Sequence, residues 1–350
     1  MFLIILMFVL VPVVHGLEIT QVGVFDFGVA YDIVYRDDVA YVSGNDGVDV
    51  FDVSDRENPE KLVRIETSGG AFGLALEEDV LYVAAVNDGL LIVDVSSHGN
   101  PVTLGSVMEF TAMDVYVDGG YAYVSCGGSY SIVDVSNPRS PVISSTVSGS
   151  GRSYTINVNG DTLYLGETEK GLMVYDISDR SEPVYLRTVS GTIGIFDIKS
   201  DGAELYLACH GNGIKVLDIS DGPNPRLIGG FNNGGEAYGI HIVDGFLLVA
   251  DLQQGIKILD ISEPTTPTLS ASWTSTHPHG ISGDSQYVYL ADQDDGLEIF
   301  IYGEDIEAPE TPINNIDASE NDSIVDRVPF NASFVLAGIL ATAWITRKKL

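Results

Sequence analysis

Positive charge is scarce in this chain. Its 350 residues hold 17 lysines and arginines against 50 aspartates and glutamates, a formal charge of −33. Such a surface repels nucleic acid and anionic lipid and favours cations or basic partners. The same charge also serves plain solubility in a saline or calcium-rich exterior. Cysteine is down to two, Cys126 and Cys209. Helical periodicity is missing: no stretch of ten or more residues repeats its apolar positions every three to four, which excludes helical repeats. Catalytic signatures are missing too. No GxSxG, HExxH, P-loop, Rossmann glycine pattern or EF-hand loop occurs, so the motif-bearing enzyme classes have no footing here.

What the chain does have is repetition. Aligning on an aspartate near a serine gives Asp52 (VFDVS), Asp94 and Asp134 (IVDVS), Asp176 (VYDIS), Asp218 and Asp260 (LDIS), spaced 42, 40, 42, 42 and 42 residues apart. A seventh copy, GLEIFIY at 296–302, keeps the glycine and apolar run but has Ile301 in place of the aspartate. A fixed period of this size marks a solenoid or a propeller. Each period holds short runs rich in Val, Ile, Leu and Tyr, bounded by Gly, Asp, Asn or Pro, which are strand and hairpin signals. Runs such as LLIVDV are apolar on both faces, as sheets covered on both sides require. Four antiparallel strands per period describe a propeller blade.

Seven units supply three inner strands each, but only six supply a following fourth strand. The missing one is at the front: EITQVGVFDF (18–27) resembles the fourth-strand runs KLVRIETSG (61–69) and RLIGGFNNG (226–234). The expected fold is therefore an all-β, seven-bladed propeller over residues 17–302, with the N-terminal strand completing the last blade and leaving no open edge.

The phrases LLIVD (90–94), YSIVD (130–134) and LMVYD (172–176) resemble the LVIVD-repeat β-propeller family, over roughly residues 18–302. The GH and WD signatures of WD40 blades are missing. The resemblance implies a surface-associated propeller of cell-envelope proteins, with no defined biochemical role.

The two ends read as an address. Residues 1–16, almost wholly apolar, are expected to be a secretory signal, with an uncleaved anchor as the alternative. Residues 303–329 are acidic and proline-bearing, the composition of a disordered stalk. Residues 330–346 are just long enough to cross a bilayer as a helix. Arg347, Lys348 and Lys349 follow, a basic tail at 347–350 that would face the cytoplasm. Since neither end carries an acid, residues 17–329 hold 14 basic against 50 acidic residues, a charge of −36. The expected placement is the cell surface: a single-pass protein with its propeller outside, anchored in the membrane by the C-terminal helix. Asn321 (NDS) and Asn331 (NAS) match glycosylation acceptors.

An extracellular setting invites a disulfide, but Cys126 and Cys209 occupy the same position two units apart. That places them about 15 Å apart, beyond the ~7 Å reach of a bridge. Two separate buried thiols are expected.

The repeated aspartate reads as a turn-former, accepting backbone N–H bonds before a proline-ended loop. Function is better sought where the copies disagree. At the entry to the first strand the aligned residues are Asp32, Gly73, Asp114, Thr155, Asp197, Gly239 and Gly280. At the end of the second strand they are Gly44, Ala85, Cys126, Glu167, Cys209, Asp251 and Asp292. Both sets are expected near one mouth of the central channel. Asp32, Asp114, Asp197, Glu167, Asp251 and Asp292 are candidate cation ligands, with Ca²⁺ the fitting ion; the alternative is that they are solvated or bond loop amides. Tyr31, Phe72, Tyr154, Phe196 and Tyr238 immediately precede the first set. Tyr31, Tyr154, Tyr238 and His279 are candidate ligand contacts, for instance to a sugar, with blade packing as the alternative. His210, His241, His277 and His279 give a weaker transition-metal signal.

The leading functional reading is a non-enzymatic binding or adhesion module at the cell surface, with no resident cofactor and with an extracellular protein or glycan as partner. The rival is an extracellular metal-dependent hydrolase or lyase using the acidic mouth.

Overall fold

The computed structural model describes residues 16–232, 234–304 and 306, leaving aside the side chain of residue 150. Among them there is no helix, and so none long and apolar enough to cross a membrane. The expected signal, anchor and basic tail lie outside the described residues, as does nearly all of the stalk.

Strands are short because each apolar run ends at a turn. Unit one consists of Ala30–Arg36, Val39–Gly44, Gly47–Asp52 and Glu60–Glu66. Unit two consists of Leu74–Glu77, Val80–Ala85, Gly89–Asp94 and Val102–Val107. Unit five runs Asp197–Asp201, Glu204–Ala208, Ile214–Asp218 and Arg226–Phe231. Unit six runs Ala237–Val243, Phe246–Asp251, Gly255–Asp260 and Thr268–Trp273. Each is a four-stranded antiparallel sheet in chain order.

The seventh unit has Pro278–Gly283, Tyr287–Asp292 and Gly296–Gly303, and its fourth strand is Glu18–Phe25 from the other end of the chain. Glu18 lies opposite Gly303 and Phe25 opposite Leu297. This borrowed strand carries a register shift between Gln21 and Gly23. Every other fourth strand also pairs across a shift, at Val50/Phe51, Ile92/Val93, Ile132/Val133, Val174/Tyr175, Val216/Leu217 and Ile258/Leu259. A bulge at one place in each outer pair twists the edge strand, and the N-terminal segment shares it.

One expectation is corrected. Five blades stand as separate four-stranded sheets, not seven. Strands Asp114–Asp118, Tyr121–Ser125, Gly127–Asp134, Val142–Asn159, Thr162–Glu167, Gly171–Asp176 and Val184–Val189 form a single seven-stranded sheet. The cause is the 18-residue strand Val142–Asn159, whose first part pairs with Gly127–Asp134 and whose second part pairs with Thr162–Glu167. Ser153 pairs with both Gly127 and Glu167. Elsewhere a loop separates one unit's outer strand from the next unit's inner strand. Here the connection SGSGRSY is paired at both ends, Ser148 with Ser129 and Ser153 with Glu167, so the strand runs through.

The core sits between units, in seven seams. Tyr41, Val48 and Val50 of unit one pack with Leu74, Leu81 and Val83 of unit two. Further clusters join units two and three, three and four, four and five, five and six, and six and seven. The last joins Tyr289 and Leu297 of unit seven to Ile33 and Phe51 of unit one, with Val22 from the borrowed strand. Second-strand tyrosines add polar clasps across these seams: Tyr41 meets His98 Nδ1 at 2.9 Å, Arg180 Nε donates to Tyr123 at 3.1 Å, and Arg56 Nε donates to Tyr289 at 3.1 Å.

The repeated aspartate is a turn anchor, as expected. Asp52, Asp94, Asp134, Asp176, Asp218 and Asp260 each accept the backbone N–H of the serine two residues on, at 2.8–3.0 Å. The hydroxyl of that serine and its amide, with Arg226 added at Asp218, hold all six carboxyls below their ordinary value, to about 2 for Asp218.

Candidate ligand site at the channel mouth

The innermost strand of each unit brings corresponding residues to the channel. One position holds Tyr31, Phe72, Met113, Tyr154, Phe196, Tyr238 and His279 in units one to seven. The rings touch their neighbours in ring order. Tyr31 stacks on Phe72 at 4.5 Å between centroids and meets His279 at 5.8 Å. His279 meets Tyr238 at 3.8 Å, Tyr238 meets Phe196 at 4.5 Å, and Phe196 stacks on Tyr154 at 5.5 Å. Six rings thus make an arc, interrupted at Met113 of unit three. Tyr31 also donates to Asn45 Oδ1 at 2.8 Å, in the hairpin between the second and third strands of its own unit. That contact puts the collar on the face where those hairpins open. All the rings except His279 keep part of their surface exposed. Burial pushes His279 down to about 3, so it is a neutral member of the collar.

The next position holds the carboxylates. Asp32 accepts from the amide of Ile33 at 2.8 Å and from Leu74, in the following unit, at 2.8 Å. Asp114 bonds the amides of Val115 and of Ile156 in the same way, and Asp197 those of Ile198 and Ile240. Each aspartate therefore staples its unit to the next. Between them stand Gly73, Thr155, Gly239 and Gly280. A Cβ on Gly280 would fall 2.5 Å from the Asp32 Cα, and one on Gly73 would fall 2.4 Å from Asp114 Oδ1. An odd ring cannot alternate throughout, and the alternation breaks where Gly239 and Gly280 are neighbours.

The sequence reading missed Lys199, two residues below Asp197. Its Nζ is 2.9 Å from Asp197 Oδ1, and it lowers Asp32 and Asp114 through the channel. Desolvation outweighs that help. It raises Asp32 to about 6 and Asp114 to about 7. The Lys199 side chain is 45% exposed, so channel solvent reaches this layer. The ammonium sits where a bound cation was expected. A signal for it existed: among the inner strands, lysine occurs only in unit five. At the equivalent position of unit six, His241 Nε2 lies 3.1 Å from the carbonyl of Gly283, and burial holds it down at about 4.

The other three candidate acids stand apart, each closed in its own hairpin. Asp251 accepts the amides of Glu236, Gln253 and Gln254 and pairs with buried Lys257. Asp292 accepts the amides of His277, Asp294 and Asp295 and the hydroxyls of Ser275 and Thr276. Glu167, 1% exposed, lies against Gly149 and Gly151 with Lys170 Nζ at 3.9 Å. Asp251 and Asp292, saturated by backbone donors, have little left for a metal, whereas Glu167 Oε2 is buried without a hydrogen-bond partner among the described residues. Among the described residues, no three His, Cys, Asp or Glu side chains come close enough to hold an ion. The histidines do not gather either: His210 pairs with Glu236 at 3.3 Å and His277 with Asp294 at 2.5 Å.

Both cysteines are free thiols. Cys209 is buried and Cys126 only partly so, and burial raises them to about 12 and about 11. A cavity of about 440 Å³ opens away from the mouth, at the seam of units seven and one. Arg56 beneath it is already committed to Asp38, Tyr35 and Tyr289.

The LVIVD-repeat profile matches residues 68–109, 111–148, 150–190, 197–233, 234–275 and 280–300, more than half of the chain. The chain belongs to the LVIVD-repeat family. These six copies take in every unit but the first, whose Asp52 turn has the same bonds. Among solved structures, the WD40 β-propeller domain of Doa1 superposes with a TM-score of 0.63 at 12% identity, over 81% of this chain and 96% of that one. The computationally designed Ika8 protein superposes at 0.58 and 11% identity, over 78% and 83%. At such identities the likeness is one of fold alone. No curated protein matches the chain in sequence.

Proposed function

We propose that this LVIVD-repeat chain is a non-enzymatic binding module whose site is the aromatic collar of the channel mouth. One observation carries the reading. Six rings form a neutral arc over a layer in which every acid is engaged by amides or by Lys199. A hydrolase or lyase needs an acid or base free to meet substrate. A collar of half-exposed rings instead offers apolar and stacking contact to an extracellular protein or glycan. The seven inter-unit seams support counting the ring as seven sectors, with Val142–Asn159 serving as the outer strand of the third and the inner strand of the fourth. The apolar and acidic ends of the sequence support display at the cell surface from a C-terminal membrane anchor.

The test is a glycan array and a protein pull-down with residues 17–329, run in calcium and in chelator. Tyr154→Ala and Phe72→Ala, at the two ends of the arc, are compared with wild type. Binding that falls at least tenfold in both variants and ignores chelator supports the collar. Binding untouched by both variants would move the site elsewhere, and calcium-dependent binding would restore the cation reading.

A further inference from the structure

The ring-closing unit contains a hydroxyl that faces two carboxylates. Ser275 Oγ lies 2.8 Å from Glu298 Oε2 and 3.0 Å from Asp292 Oδ2. A serine hydroxyl has one proton and can donate to only one of them. The second short contact requires a proton on a carboxyl. Asp292 is the poorer host, because its oxygens already accept three backbone amides, while Thr276 Oγ1 lies between Asp292 Oδ1 at 3.3 Å and Asp295 Oδ2 at 3.2 Å. Among the described residues Glu298, 5% exposed, receives a single other donor, Gln21 Nε2, at 2.6 Å on Oε1. The proton therefore sits on Glu298 Oε2 and points at Ser275 Oγ, whose own proton goes to Asp292 Oδ2.

We propose that Glu298 is a pH latch joining the borrowed N-terminal strand to the loop that enters the channel mouth. In its neutral form it accepts from Gln21 of Glu18–Phe25 and donates to Ser275. Ser275 lies four residues before His279, the collar member between Tyr31 and Tyr238. When Glu298 loses its proton to solvent, two carboxylates face one hydroxyl proton and the Ser275 contact is lost. The 274–277 loop then keeps its bonds to Asp292, Asp294 and Asp295 but loses the one to Glu298. Every other charged group nearby pushes the same way. Asp292 and Asp295 both raise Glu298, and Asp26 and Asp294 add to Asp295; the one cationic candidate, His277, is turned to Asp294. Burial is the largest cause, and together these put Glu298 at about 7, against an ordinary 4.5.

The sign follows. A carboxyl raised in the fold adds stability that is fully present below its unfolded value and is lost as pH rises through its folded value. The folding equilibrium constant should fall by about 10²-fold between pH 4.5 and pH 8 on this account. Asp32 and Asp114 titrate in the same window, so the variant difference carries the test. Glu298→Gln reproduces the neutral form: its carbonyl accepts from Gln21 and its amide donates to Ser275. Urea unfolding of the full chain across pH 5–8.5 should show Glu298→Gln gaining on wild type as pH rises, with the exchange protection factors at 274–280 no longer falling. In infrared difference spectra, wild type should show a protonated-carboxyl band at pH 6 that Glu298→Gln lacks. An unchanged band, or a variant–wild-type difference independent of pH, would overturn the latch. The stability effect stands without the collar and does not rest on the proposed function.

Discussion

Replacing Lys199 with methionine removes the cation that three channel aspartates share. The stem is kept, so packing changes little and the charge is what the experiment reads. Lys199 Nζ contacts Asp197 at 2.9 Å and lowers Asp32 and Asp114 through space. Breaking a fully buried pair costs about 3–5 kcal/mol, but this lysine is 45% exposed and Asp197 19%. Channel water screens the pair, and an exposed pair is worth only about 0–1 kcal/mol. A loss of about 1–2 kcal/mol at pH 8 follows from lying between these limits. The pH dependence is more telling. Asp32 and Asp114 are raised to about 6 and about 7, so they hold protons in the fold below that window and their favourable term is lost as pH rises through it. Lys199 offsets that loss only once they are ionised. The deficit of Lys199→Met should therefore keep only its Asp197 share at pH 5 and grow to its full size by pH 8. Urea denaturation at a series of pH values reads it directly. A deficit equal at pH 5 and pH 8, or none at pH 8, would refute the shared-cation layer.

Gly280→Ala should destabilise by about 1–3 kcal/mol, since the new Cβ meets the Asp32 backbone at 2.5 Å. Gly119→Ala, a left-handed turn glycine with open space around it, should cost about 1 kcal/mol from backbone conformation alone; thermal melts of the two rank them. Neither thiol should react with an alkylating reagent at pH 8 in the folded protein, given values of about 11 and 12, and both should react in urea.

The fold was legible because its determinants are local and repeated. The glycine, apolar run, aspartate and serine of each unit encode one strand and one turn, and six copies average out the noise of any one. The origin of the seventh fourth strand was legible for the same reason, since EITQVGVF resembles the outer strands it imitates, bulge included. The fusion of units three and four was not. SGSGRSY reads as a glycine-rich turn, and only the paired strands on both sides keep it extended.

At the channel, alignment gave positions and could not give their directions. It placed Tyr31, Phe72, Tyr154, Phe196 and Tyr238 in one register, and His279 joins them in the collar. It also grouped Asp251 and Asp292 with Asp32, although the former turn back to cap their own hairpins. Lys199 and Glu298 were passed over because each is a single departure at a position that varies freely. Their meaning lies in partners far away in sequence, with Gln21 and Glu298 separated by 277 residues.

Closure of the ring by the N-terminal strand underlies the mouth, the latch and the seam of units seven and one. Thr20 lies opposite Ile301 across that closure. A Thr20→Cys, Ile301→Cys variant, oxidised while folded and mapped by peptide mass spectrometry, tests it directly. A 20–301 disulfide is the predicted product. Thiols at 20 and 301 that stay free, or that bridge only between molecules, would contradict the closed ring.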